Sequence, residues 1–286
     1  MKTKHVWALV MPALLLFVLI FLVPFLLLIV KSFQTYVPGT LISDSSFTWE
    51  NYTQLFSDGY YFKIYYRTIR IAVISTLAVL VLSYPLSIFL SSMNAKVRGV
   101  FMTISILPMI GGAMIQTMGW FAMLMRYGTI NSFLLGLHII KDPIQFLGTE
   151  LGVIIGLVQS FLPMMIYPLV SSLLAIDREI YDSARTLGAR PPKIFFSVTI
   201  PLSAPGAMAG AILVFMACLT SFVTPSSLGQ GKIQVFGTYA YQQAIQVMNW
   251  PFSSSYAIFF ILSMGIVVLA LNLLARGLRR KRCGSM

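Results

Sequence analysis

The chain reads as an all-α, polytopic membrane protein, and three features of its sequence say so. Apolar residues make up 58% of it and charged residues 10%, and a mean hydropathy of +0.85 lies outside the range of soluble domains. Uncharged runs recur that exceed the roughly 20 residues a helix needs to cross the hydrocarbon core at about 1.5 Å per residue. The charges that remain gather between those runs, most densely in residues 177–202, DREIYDSARTLGARPPKIFFSVTIPL.

Six transmembrane helices are predicted, at about 6–31, 68–94, 99–125, 150–176, 203–223 and 253–276, in a single domain spanning 1–286. The first follows Lys2 and Lys4 as a secretory signal would, but its apolar run is too long for a signal core and no A-x-A site follows. It is retained. The second, third and fourth are uncharged runs, Ile71–Asn94, Gly99–Met125 and Leu151–Ile176. The fifth and sixth lie within Ile194–Gly231 and Ile233–Ala275, each too long for one span and each with turn-forming residues at one end. Six spans put both termini on one side. That side collects Lys2, Lys4, Lys96, Arg98, Arg178, Arg185, Arg190, Lys193, Arg276, Arg279, Arg280, Lys281 and Arg282, or 13 of the 20 Lys and Arg. It is therefore the cytoplasm, and the island at 177–202 lies there.

The net charge of +12 flanks apolar spans, so anionic lipid and topology account for it without nucleic acid. Cys218 falls within the fifth span and Cys283 in the tail, which makes a mutual disulfide implausible in a reducing compartment. No metal site is predicted. The only Gly-Lys pair, Gly231-Lys232, precedes Ile233 and lacks the hydroxyl of a phosphate loop. The six span cores contain no Asp, Glu, Lys, Arg or His, which disfavours a proton relay and leaves sodium coupling through carbonyls and hydroxyls open. His5 and His138 lie outside the spans.

The island reads as a helix, a bend and a second helix. Asp177 is the expected N-cap, Ile176, Ile180, Ala184 and Leu187 form one stripe, and Arg178 and Asp182 are spaced to pair. Gly188 ends the first helix, Pro191-Pro192 can start the next, and Pro201 marks the beginning of the fifth span. Small Ser183 and Ala184 beside acidic Asp182 suit a docking element, while an amphipathic loop resting on the bilayer fits the composition equally well.

Asp182-Ser183-Ala184, three intervening residues, Gly188-Ala189, then Phe195, Val198, Ile200 and Pro201 resemble the EAA loop of permease subunits in bacterial type I ATP-binding-cassette importers. The family pattern has Glu-Ala-Ala where this chain has Asp182-Ser183-Ala184, substitutions that keep charge sign and small size. Phe222-Val223-Thr224-Pro225, Leu228-Gly229, Tyr241-Gln242-Gln243 and Asn249-Trp250-Pro251-Phe252 further resemble B-type permeases of the spermidine/putrescine family. The resemblance implies a non-catalytic, multi-pass permease of the bacterial inner membrane that forms half of a pathway for a polyamine or related small amine or amino-acid-like solute. A second permease, in a heterodimer, two ATP-binding subunits carrying ATP and Mg, and a periplasmic solute-binding protein are the implied partners; the chain itself binds no cofactor. Asp182, Ser183, Ala184, Gly188, Ala189, Phe195 and Pro201 are the implied ATPase-coupling residues. A sodium-coupled carrier acting alone is the competing reading.

Two other regions bear on transport. Residues 32–66 carry Tyr52, Phe56, Tyr60, Tyr61, Phe62, Tyr65 and Tyr66, which suits an interfacial aromatic belt or a cation-binding surface. The segment 224–252 reads as an excursion at the outer mouth. At mid-span, Gln116, Gln159, Ser160, Thr220 and Ser221 stand near Gly111-Gly112, Pro163 and Pro225, and either bond between helices or line a watery path.

Overall fold

The computed structural model describes residues 11, 12, 14–38 and 44–283, without the side chains of 44, 45 and 267–283. His5, Lys2, Lys4, residues 6–10 of the first predicted helix, and the side chains of Arg276–Arg282 and Cys283 lie outside that description. In chain order the elements are α1 (Leu14–Ser32), β1 (Gln34–Thr35), β2 (Asp44–Phe47), α2 (Glu50–Ser57), α3 (Gly59–Ser92), α4 (Ala95–Ile110), α5 (Ala113–Leu124), α6 (Thr129–Gly136), α7 (Glu150–Leu174) and α8 (Arg178–Thr186). There follow α9 (Pro191–Thr220), α10 (Val223–Leu228), α11 (Phe236–Tyr241) and α12 (Trp250–Cys283). The chain divides into two compact units, one of Met1–Phe62 with Tyr239–Met286 and one of Lys63–Thr238.

In the first unit, α12 packs against α1 and α2. The strands pair antiparallel, Gln34 opposite Phe47 and Thr35 opposite Asp44, and Phe33 stacks on Phe47 at 4.9 Å. Asn51 ties the turn down by donating to the carbonyls of Ser32 and Gln34, both at 2.9 Å. Tyr61, Tyr239, Phe252 and Tyr256 are buried together, with ring centroids 5.1 Å apart for Tyr61–Phe252 and 5.3 Å for Tyr239–Tyr256. Burial pushes the Tyr239 phenol well above its usual range. The aromatics between 32 and 66 thus divide: Tyr61 is core, while Phe56, Tyr60, Phe62 and Tyr66 are exposed.

In the second unit, α7 and α9 form the closest helix pair, since small residues let their backbones approach. A Cβ placed on Gly206 would overlap the Pro168 carbonyl oxygen and the Ser172 Cβ, and one on Gly210 would sit 2.6 Å from Met165 Sδ. Leu169, Leu173 and Ala207 are buried in this seam with Leu80, Tyr84 and Ile88 of α3 against them. Leu90, Ile166 and Val170 form a second cluster with Met93, Met102 and Leu162. The Ser203 hydroxyl donates to the Thr199 carbonyl at 2.7 Å and meets the Tyr84 hydroxyl at 3.1 Å, and Tyr167 donates to the Met102 carbonyl at 2.7 Å.

Three boundaries differ from those expected. The second helix begins at Gly59 rather than near 68, because Tyr61, Ile64, Thr68 and Ile71 keep one buried helical face through a stretch that carries Lys63, Arg67 and Arg70. The run 99–125 is not one straight span: it begins at Ala95, capped by Asn94, and breaks by 92° at Gly111-Gly112. Pro201 does not open a separate span, for α9 runs unbroken from Pro191 to Thr220. A π turn over Phe195–Thr199, in which the Ile200 amide donates to the Phe195 carbonyl, widens the helix ahead of the Pro201 ring and carries the chain past it. By length and apolarity α1, α3, α7 and α9 can cross a membrane, and α4 with α5 and α6 adds a fifth crossing if the bent pair is one span. In α12 the apolar stretch among the described side chains, Trp250–Ile266, is shorter.

Gly206→Ala is expected to cost about 1–3 kcal/mol, the range of an overpacked core site, and to lower the thermal unfolding midpoint in detergent. Gly136→Ala, where a Cβ meets nothing, serves as the unaffected control.

Candidate functional site

The segment between α7 and α9 is built by local chemistry at each step. Asp177 is in extended conformation at the N-cap, but its side chain makes no capping bond. At the other end of α8, the Gly188 amide donates to the Arg185 carbonyl at 2.9 Å and the Ala189 amide to the Ala184 carbonyl at 3.1 Å. With Gly188 at φ 76°, this is a Schellman closure, which needs a residue free to enter the left-handed region. Arg190 is extended again and Pro191-Pro192 begin α9, where proline loses no helical hydrogen bond.

The result holds α8 clear of the second unit's core. Asp182 and Ser183 are exposed, Ala184 and Ala189 are half-buried, and Leu187 at the tip is 87% exposed. Ile180 on the same stripe is 41% exposed. Leu187 and Ile180 thus leave an apolar edge of α8 uncovered, with Asp182 exposed on the same short helix. Asp182 pairs with Arg185 at 3.4 Å rather than with Arg178 as the spacing suggested; both groups are well exposed, so the pair leaves the carboxylate available. Phe195 is half-buried with its ring edge-on to Tyr84 at 6.2 Å, and Pro201 is half-buried within α9. Behind α8 lies a cavity of about 580 Å³ lined by Ile88, Ser91, Leu173, Tyr181, Arg185 and Thr199, among others.

The mid-span polar residues do not assemble. Gln116 is half-buried one turn beyond the break, and its neighbour Thr117 bonds to the Ala113 carbonyl at 2.6 Å and meets Thr224 at 3.4 Å. Gln159 keeps a buried Oε1 without a partner, and Ser160 is buried. Thr220 is exposed and donates to the Met216 carbonyl at 3.0 Å, while the Ser221 amide reaches Cys218 at 3.4 Å. Among the described residues no hydrogen bond joins these side chains to one another.

Sequence reasoning missed a charge cluster. Glu150 at the first turn of α7 takes Arg67 at 3.3 Å and also Arg70 of α3, and Thr68 between them accepts the Phe236 amide at 2.9 Å. The readable signal was the i, i+3 spacing of two arginines on a helix that starts earlier than expected. Arg67 and Glu150 are half-buried, with side chains 25% and 27% exposed, while Arg70 lies at the exposed edge of the group at 44%.

Comparison with known proteins gives this geometry a context. Residues 83–282 match the model of the family described as binding-protein-dependent transport system inner membrane component. The spermidine/putrescine transport system permease protein PotB of Escherichia coli is 34% identical over 92% of this chain and 95% of that protein. PotB of Haemophilus influenzae is 32% identical over 86% of each. The fold is also that of a crystal structure of a bacterial ABC transporter involved in import of the acidic polysaccharide alginate, with a TM-score of 0.75 at 17% identity over 96% of both chains. A second alginate transporter structure, in complex with its alginate pentasaccharide-bound periplasmic protein, gives 0.77 at 18% identity over 96% of this chain and 95% of that one.

The chain belongs to the family of binding-protein-dependent transport system inner membrane components. It is a multi-pass inner-membrane permease of an ATP-binding-cassette importer. The lone sodium-coupled carrier gives way to that assignment.

Glu150→Gln leaves two guanidinium groups sharing a neutral partner inside a half-buried cluster, and is expected to lower the unfolding midpoint in a salt-dependent way. Asp182→Asn, whose pair is exposed, should change it far less; parallel thermal melts at low and high salt compare the two.

Proposed function

We propose that this chain is one half of the transmembrane pathway of a polyamine importer, driven through the Asp177–Ala189 segment by a separate ATPase subunit. The observation that carries the coupling role is the Schellman-closed α8, which presents Asp182, Ser183 and Leu187 to solvent while leading through Pro191 directly into α9. Asp182, Ser183, Ala184, Gly188 and Ala189 meet the ATPase; Phe195 and Pro201 hand the movement to the span. The polyamine assignment draws on relatives named for spermidine and putrescine.

In this reading the chain crosses the membrane six times, with α4 to α6 as one bent crossing and both termini in the cytoplasm. It pairs with a second, different permease. Two ATP-binding subunits hold ATP and Mg, and a periplasmic binding protein delivers the solute. Gln116, Gln159, Ser160, Thr220 and Ser221 line the path, and the buried, unpartnered Gln159 Oε1 supports this because an acceptor at that depth is costly unless something donates to it.

Co-purification with the ATPase tests the coupling role. Gly188→Pro cannot take positive φ and Asp182→Lys reverses the charge, so each is expected to cut recovered ATPase and solute uptake by about tenfold or more, a loss of ~1.4 kcal/mol. Retention at wild-type levels in both variants would reject it. Single cysteines at Gln116, Gln159 and Thr220 are expected to react with a water-soluble thiol reagent in at least one nucleotide state; uniform inertness would remove them from the path.

A further inference from the structure

The break between α4 and α5 leaves backbone groups without partners in the apolar depth of a span. Sixteen residues of α4 carry the chain about 24 Å from Asn94, short of the ~30 Å hydrocarbon layer. There the Gly112 amide turns to the Met109 carbonyl at 3.3 Å rather than to Pro108, four residues back. Among the described residues nothing donates to the Gly111 carbonyl, and the Gly112 amide passes the Pro108 carbonyl by. One turn earlier, Pro108 has no amide hydrogen to give the Ile104 carbonyl. Ile104, Pro108 and Gly111 follow at four and three residues and so share a helix face. Gly112, at φ 85°, fixes the bend.

This face is open. Ile104 is 54% exposed and Pro108 and Gly111 are exposed with it, and Ile110, Met114 and Ile115 around the break are 74%, 67% and 74%. Lipid offers no hydrogen bonds, so irregular backbone at membrane depth is tolerated only where protein or water covers it. The available groups are carbonyls at the negative end of a helix dipole, with no basic residue in the last turn of α4. Among the described residues nothing bonds the half-buried Gln116 side chain, one turn on. The span cores contain no carboxylate, so a cation passing through this chain must be met by neutral oxygens.

We propose that the α4–α5 break is a binding step for a protonated amine, whose N–H groups are accepted by the carbonyls of Pro108 and Gly111 in the water-filled path. This rests on the permease reading above and gives the pathway an acceptor set that its side chains do not supply. Carbonyl cages of this kind suit ammonium, since each N–H finds an oxygen without the desolvation that a buried carboxylate would carry.

The test uses the whole importer in nanodiscs, on a Cys283→Ser background in which Cys218 is buried. Ile110→Cys is treated with methanethiosulfonate reagents bearing either trimethylammonium or sulfonate. The cationic reagent is expected to react about tenfold faster, and spermidine with the binding protein should slow it. Val81→Cys, on an exposed apolar face of α3, stays inert as the lipid-facing control. Pro108→Ala supplies an amide to the Ile104 carbonyl and tightens the same turn; it is expected to raise KM for uptake severalfold while ATPase recovery is unchanged. Inertness of Ile110→Cys in every nucleotide state, equal rates for the two reagents, or a faster sulfonate would each overturn the proposal. If the cationic preference holds and another amine protects while spermidine neither protects nor enters, the carbonyl site stands and the polyamine assignment falls.

Discussion

The seam between α7 and α9 is the contact on which the rest of the second unit depends. At Gly206 and Gly210 there is no room for another atom, so these helices move together or not at all. One adjoining contact follows from that closeness: Ser203, which bonds the Thr199 carbonyl within its own helix, meets the Tyr84 hydroxyl of α3 because α9 lies so near. The Asp177–Ala189 segment is suspended between the two ends of this pair, and its position is fixed by their rigidity rather than by contacts of its own.

The second unit holds its two ends by different physics. One end is clamped by charge, with Glu150 between Arg67 and Arg70 of α3; the other is closed by small side chains and hydroxyls and leaves a hollow behind α8. Charges can tolerate water at a half-buried position, whereas close backbone packing requires its exclusion. An importer permease must open one side while the other stays shut, and a chain built with unlike fastenings at its two ends can release one without loosening the other.

Much of this was legible in the residues. Hydropathy located the fourth helix within two residues at its C-terminal end, and Gly188 before Pro191-Pro192 announced the bend because each residue type has few other conformations open to it. What was hidden depended on long-range contact. The polar start of α3 looked like a loop until Tyr61, Ile64 and Thr68 found partners to bury them. The break at Gly111-Gly112 was visible as a glycine pair, but its angle was not. Pro201 looked like a boundary, and the π turn that overrides it leaves no signature in composition. The pairing of Asp182 with Arg185 rather than Arg178 was a choice between i, i+3 and i, i+4 partners, both within reach on a helix.

The continuity of α9 has a mechanical consequence. Thirty residues of unbroken helix make a rod of about 45 Å, beginning just after the glycine bend and longer than the ~30 Å hydrocarbon layer is thick. A rotation of about 5° at one end sweeps the other through about 4 Å, more than the width of a water molecule. A small tilt at one end of such a rod is thereby amplified into a movement of several ångströms at the other, with no hinge needed between them.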